Sequence, residues 1–190
     1  MKKHWMFYSI VFVAGSFAMA FASGAQSTRK AHVEIPVIPV RAEDVASPEA
    51  IVLADYASIS GGVGVARQWG RDHTLYDSHA RFVSFSTDPK SGAIQKTSSN
   101  EQEFADGSDA MMVKEGFTEH ELAHVVHRYG NVATVLSSYE GKLSSTGKVV
   151  ARGVNIYQLY FDGRRWWILS VVWDEERPDN PIPPELLPKV

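Results

Sequence analysis

Between Tyr129 and Glu176 the chain alternates strand-forming runs with short polar breaks, and this pattern restricts the fold more than any other feature. The runs VATVLSSYEGKL, VVARGVNIYQLYF and WWILSVVWDEE are rich in Val, Ile, Tyr, Phe, Trp and Thr, and the breaks SSTGK and DGRR carry glycine with polar partners. β-branched and aromatic side chains suit a pleated surface, and Gly with Asn, Asp or Ser suits tight turns, so the reading is a meander of three antiparallel strands. In the last run, strict alternation puts Trp167, Leu169, Val171 and Trp173 on one face and Trp166, Ile168 and Val172 on the other. Both faces are apolar. Such a strand must be covered on both sides, by helices on one and by another layer or a second subunit on the other.

The 190 residues are 44% hydrophobic with a net charge of −3, which suits one globular domain and offers no basic excess for nucleic acid. Lys2 and Lys3 precede an apolar run from Trp5 to Phe21, followed by the small-residue sites Ala20-Phe21-Ala22 and Ser23-Gly24-Ala25. That order reads as a signal peptide over residues 1–25, cleaved after Ala22 or Ala25, which predicts export to the periplasm or beyond and no stable membrane insertion of the mature chain. With no cysteine, neither disulfides nor a lipid-modified cysteine can be present. Residues 26–46, containing VEIPVIPVRAED, read as an extended linker, because Pro36 and Pro39 favour polyproline-like backbone.

The domain proper is expected over residues 47–176. Ser47-Pro48-Glu49 is a helix start, with a cap, a proline at the first position and an acid in the first turn, and the helix runs to about Ser60. A short second helix falls between Arg67 and Leu75, a strand at His79–Phe85, a turn at Asp88–Gly92, and a third helix starts through a Ser98-to-Glu101 capping box, shortened or broken by Gly107. Helices first and a meander last describe an α+β fold with helices on one face of an antiparallel sheet. The proline-rich tail 177–190 cannot form a helix or a central strand, and is expected to lie across the sheet surface or a partner.

The run EDVASPEAIVLADYASISG, the later RQWGRDHTLYDSHARFVSF, and above all YGNVA, the SSYE stretch, ARG at Ala151 to Gly153 and the DGRRWWI…WDEE ending resemble the nuclear transport factor 2-like superfamily and its uncharacterised bacterial members. The resemblance covers residues 44–176. It implies a strongly curved antiparallel sheet wrapped round two to three N-terminal helices as a cystatin-like cone, with an internal pocket and a homodimer through the outer sheet face. It implies no cofactor. The superfamily also holds ketosteroid isomerases, polyketide cyclases and dehydratases, whose pocket residues move protons, but none of their catalytic pairs maps onto this chain residue by residue.

Tyr56, Trp69, His79, Tyr139, Asn155, Tyr157 and Trp173 are the candidate lining of a small-molecule pocket, since aromatic walls with a few polar groups suit such a site. An isomerase, cyclase or dehydratase acting through a pocket His or Asp is the enzymatic alternative, with Asp72 beside His73 or His79 as an acid–base pair. An RDH string also suits a solvated helix face, and the aromatics also suit plain core. A pure interaction or scaffold domain is the third reading. His120-Glu121-Leu122-Ala123-His124 matches the H-E-x-x-H zinc hydrolase pattern if helical. The resemblance places it on a strand, where Glu121 points away from the two imidazoles, so no metal is expected. Arg152 is expected to pair with Glu140 across two strands.

Overall fold

A computed structural model describes residues 32–88 and 90–189. The expected signal peptide and the first residues of the linker lie outside the described residues. Ser47 caps α1 (Pro48–Ile59), its hydroxyl accepting from the Ala50 N–H at 3.1 Å. α2 (Trp69–His73) follows, then β1 (Tyr76–Thr87), β2 (Ile94–Ser99), α3 (Glu101–Glu115), β3 (Phe117–Tyr129), β4 (Val132–Leu143), β5 (Lys148–Phe161) and β6 (Trp166–Glu175). The fold is α+β. β2 carries no apolar alternation and its side chains are largely exposed, so the sequence held no signal for it.

The cap of α3 lies two residues later than expected. Asn100 and Glu103 form the capping box, because Ser98 and Ser99 are already paired with β1. Gly107 does not break the helix, whose buried residues Ala105, Ser108 and Met112 offset the roughly 1 kcal/mol a mid-helix glycine costs. Gly116 ends it at φ 65°, a backbone geometry that glycine tolerates best.

The strand order is β2-β1-β6-β5-β4-β3. All neighbours are antiparallel except β1 and β6, which run parallel, so the sheet is mixed and the expected antiparallel meander forms one part of it. Register shifts interrupt four of the five pairings, and such bulges bend the sheet round α1, which packs on β3, β4 and β6. One of them corrects the facing of β6. Gln158 pairs with Ser170 and Leu159 with Ile168, so Leu169 is an extra residue, and Trp166, Ile168, Val171 and Trp173 all turn to the helix side.

The helix-side face of β6 is buried, while its outer face is covered only in part, with Leu169 exposed and the chain's own tail supplying a second layer over the neighbouring strands. The proline-rich tail crosses the outer face, burying Ile182 (5% exposed) and Leu186 (2%), and Ser138 donates to the Leu186 carbonyl at 2.5 Å. A cleft of about 370 Å³ remains between the tail and Leu136, Ile156 and Val172. Leu186→Ala is expected to lower stability by about 2 kcal/mol, the low end for a buried leucine because its site is at the surface. Chemical denaturation of both proteins measures this, and equal midpoints would mean that the tail is not part of the folded core.

At the other end of the chain the expected linker is docked along α3 and α2. The Val33 N–H donates to Asp106 Oδ1 at 2.8 Å, Gln102 donates to the Val33 carbonyl at 2.8 Å, and Pro36 lies so close to Gly70 that a Cβ there would meet its carbonyl oxygen at 2.6 Å. A second cleft of about 570 Å³ opens beside it, bordered by Pro36, Ile38, Trp69 and Asp109.

Candidate functional site

Within the apolar core between α1 and the sheet lies a cluster of polar side chains. α1 presents Asp55, Tyr56 and Ser58 to it, α2 presents Asp72, and β1 opens with Tyr76. β5 contributes Asn155 and Tyr157, β4 contributes Ser137 and Tyr139, and β3 contributes Glu119 and Glu121. The sheet positions follow from pairing. Tyr139 stands opposite Gly153, Ser137 opposite Asn155 and Val135 opposite Tyr157, so alternate residues of neighbouring strands share the helix side.

Asp55 is the centre of the first group. Tyr76 donates to its Oδ1 at 2.5 Å and Tyr157 to its Oδ2 at 2.7 Å. Asp72, 1% exposed, hydrogen-bonds Asp55 side chain to side chain, and the Ser58 hydroxyl sits 2.5 Å from Asp72 Oδ1. Burial raises both carboxyls above their ordinary range, and Asp72 goes well above it because the charge of Asp55 lies beside it. The phenols oppose the rise at Asp55. Asp55 is therefore the carboxylate of the pair and Asp72 the acid. Burial likewise drives Tyr76 and Tyr157 upward, so both remain neutral donors.

A second group adjoins it. Tyr56 packs edge-on against Tyr157 with ring centroids 6.4 Å apart, and its hydroxyl is 2.8 Å from Ser137 Oγ. Asn155 Nδ2 donates to the Tyr56 hydroxyl at 3.1 Å and to Glu119 Oε1 at 3.4 Å. Burial, reinforced by Asp55, pushes the Glu119 carboxyl up to about 8, with Asn155 holding it slightly down. Ser137 donates to Glu121 Oε2 at 2.6 Å, and Glu121 Oε1 is 2.6 Å from His124 Nδ1. A carboxylate beside a neutral carboxylic acid, and a carboxyl that titrates near neutrality, are the groups general acid–base chemistry requires.

Of the sequence candidates, Tyr56, Tyr139, Asn155 and Tyr157 come together here, and Trp173, opposite Asn155, flanks them. Trp69 lies in a separate core cluster with Ile59, Met112 and Phe117, its indole donating to Asp109 at 2.7 Å. His79 is not interior at all. It sits beside a solvent-facing Asp77 with its side chain 90% exposed, because β1 is irregular between Tyr76 and Arg81. The expected Asp72–histidine pair does not form either, since His73 turns outward to Glu101. Asp55, Ser58, Tyr76, Glu119 and Ser137 were not identified as site residues from the sequence. Only Asp55 carried a signal, an acid set among the apolar residues of α1.

The H-E-x-x-H segment lies on β3, as the strand reading required, but its facing differs. A bulge between Glu121 and Ala123 leaves Leu122 unpaired, so His120 stands opposite Glu140 on the outer face while His124 stands opposite Ser137 on the inner one. Two imidazoles on opposite faces cannot share an ion, which removes the zinc hydrolase alternative. Arg152 pairs with Glu140 as expected, at 2.8 Å, and reaches Glu176 at the same distance.

No protein-family model matches the chain, and no curated protein does. Solved structures similar to it include a domain of unknown function with a cystatin-like fold from Nostoc punctiforme, with 14% identity over 68% of this chain and 77% of that one and a TM-score of 0.46. The association domain of CaMKII from C. elegans has 16% identity over 65% of this chain and 88% of that one, TM-score 0.44. An NTF2-like protein of unknown function from Methylobacillus flagellatus has 11% identity over 74% and 98%, TM-score 0.42. The cystatin-like and nuclear transport factor 2-like descriptions among them are those that the sequence resemblance named.

Proposed function

We propose that the protein is an exported small-molecule-binding domain whose interior carries out proton transfer on an apolar ligand bearing a carbonyl or hydroxyl oxygen. The observation that supports this is the buried pair Asp55 and Asp72 with the half-buried Glu119, whose side-chain hydrogen bonds run to tyrosine, serine, asparagine and, between the two aspartates, one another. Burying carboxyls without a cation costs stability, and a fold tolerates that cost most readily where the groups act. In this arrangement Asp55 takes a proton from carbon next to the ligand carbonyl, and Asp72 or Glu119, still protonated at neutral pH, hydrogen-bonds the oxygen where charge develops. Export follows from the N-terminal segment, and a homodimer through the uncovered part of the outer sheet face completes the proposal.

Ring ketones such as cyclohexanone and 2-cyclohexenone test the reading, incubated with the protein in heavy water and followed by NMR for loss of the α-protons. Exchange above the buffer rate is expected, with a fall of about 100-fold in Asp55→Asn, the size of a lost general base. Exchange at the buffer rate for the wild type, or undiminished in Asp55→Asn, would sink the proposal and favour an interaction domain.

A further inference from the structure

We propose that Tyr56, Ser137, Glu121 and His124 form a proton path between the buried interior and solvent. Its purpose rests on the acid–base reading above, while its geometry stands independently. Ser137 is fully buried between Tyr56 of α1 and Glu121 of β3. A serine hydroxyl owns one proton, and Ser137 gives it to Glu121 Oε2 at 2.6 Å, so Tyr56 is the donor across the 2.8 Å contact between the two hydroxyls. Asn155, donating to the Tyr56 oxygen at 3.1 Å, leaves Tyr56 no other direction to point its proton. The chain is thus oriented from inside to outside without a break.

Its outer end reaches water. The Glu121 side chain is 11% exposed and that of His124 35%, and the imidazole holds the second carboxylate oxygen at 2.6 Å. The bulge at Leu122 makes this possible. On a regular strand residues three apart face opposite ways, whereas the extra residue returns His124 to the same side as Glu121 and opposite Ser137. Transfer is conservative in protons and charge. A proton given up by an acid of the interior bonds to Tyr56 Oη as the Tyr56 proton passes to Ser137 Oγ and the Ser137 proton passes to Glu121 Oε2. Three bonds to hydrogen break and three form, and the negative charge moves from Glu121 to the acid that gave up the proton. Run backwards, the same steps return the proton.

Tyrosine labelled with ¹³C at Cζ, in the full chain in an equal mixture of light and heavy water at fixed pH, reports how fast each hydroxyl exchanges. Glu121→Gln keeps the size and an acceptor oxygen but has no acid proton to pass on, and is expected to slow exchange at Tyr56 about tenfold or more. Tyr157, which donates to Asp55 off the path, should be unchanged. Ser137→Ala and His124→Gln should slow Tyr56 in the same way, so the test does not depend on one variant folding. Tyr56 exchange unaltered in these variants, or Tyr56 and Tyr157 altered together as in general loosening of the core, would overturn the path. Failure of the ketone assay alone overturns the acid–base reading and leaves these exchange rates as they are.

Discussion

Arg67→Ala is expected to destabilise the protein by about 4 kcal/mol, enough to unfold much of a marginally stable domain. The side chain is buried and its guanidinium donates to five backbone carbonyls, those of Ile59, Gly61 and Phe117 through Nη1 and those of Gly62 and Val65 through Nη2. The last carbonyls of a helix have no partners within it, and here one arginine serves as the cap of α1 and ties it to the first residue of β3. Its removal strips the Ile59, Gly61 and Val65 carbonyls of the donor they share, while those of Phe117 and Gly62 keep the Gly61 and Val65 N–H groups, and the missing side chain leaves a cavity at the end of α1; lost bonds of this kind cost on the order of 1 kcal/mol each and the lost packing adds to that. Arg67→Lys should recover little, because a point-like ammonium cannot span five acceptors held by a planar fork. Gly61 belongs to the same device, since a Cβ there would lie 2.5 Å from the guanidinium. Urea denaturation followed by circular dichroism measures the loss, and an Arg67→Ala midpoint within error of the wild type would refute the capping role.

Glu119→Gln is expected to stabilise the protein at pH 8 by about 3 kcal/mol, less than the full pKa shift converts to because Glu119 keeps part of its surface in water. Its carboxyl titrates near 8 in the folded chain against an ordinary 4.5. Between those values the folded chain holds a proton that the unfolded chain has released, so stability falls as pH rises. The contribution is fully present below about 4.5 and is lost as pH climbs through about 8. Asp55 and Asp72, both raised, tilt the profile the same way. The wild type should therefore melt at a higher temperature near pH 5 than near pH 8, and the glutamine variant should show a shallower slope. A flat wild-type profile over that interval would contradict the assignment of a protonated Glu119.

The sequence was legible where periodicity and local chemistry decide structure. The last three strands, the Ser47 cap and the Arg152–Glu140 pair depend on neighbours in the chain or on simple cross-strand pairing, and all were readable. The facing of β6 and of the H-E-x-x-H segment was not, because each turns on one unpaired residue, Leu169 or Leu122, whose side chain looks like any other leucine of its strand. The site was legible in its aromatics and obscure in its acids. Tyr157 and Asn155 sit in an evident strand, but Asp72 lies in a string of charges that suits a solvated helix face. In the fold the string splits, Arg71 chelating Asp44 at 2.7 Å through two nitrogens while Asp72 turns inward to Ser58.

The parallel contact between β1 and β6 also bears on the order in which the molecule can assemble. Tyr76 meets Ile168, and Phe82 meets Val171, so the fifth strand in the sheet from the β3 edge is an early one whose partner is the last to be synthesised. The hairpin of β1 and β2 cannot join the rest until the meander is finished, and contacts this distant along the chain are slow to close. A chain arrested before Trp166 would hold β1 with one unpaired, apolar edge. Truncation within the final strand should accordingly leave a species that associates with itself, and the domain commits to its native form only when its last strand arrives.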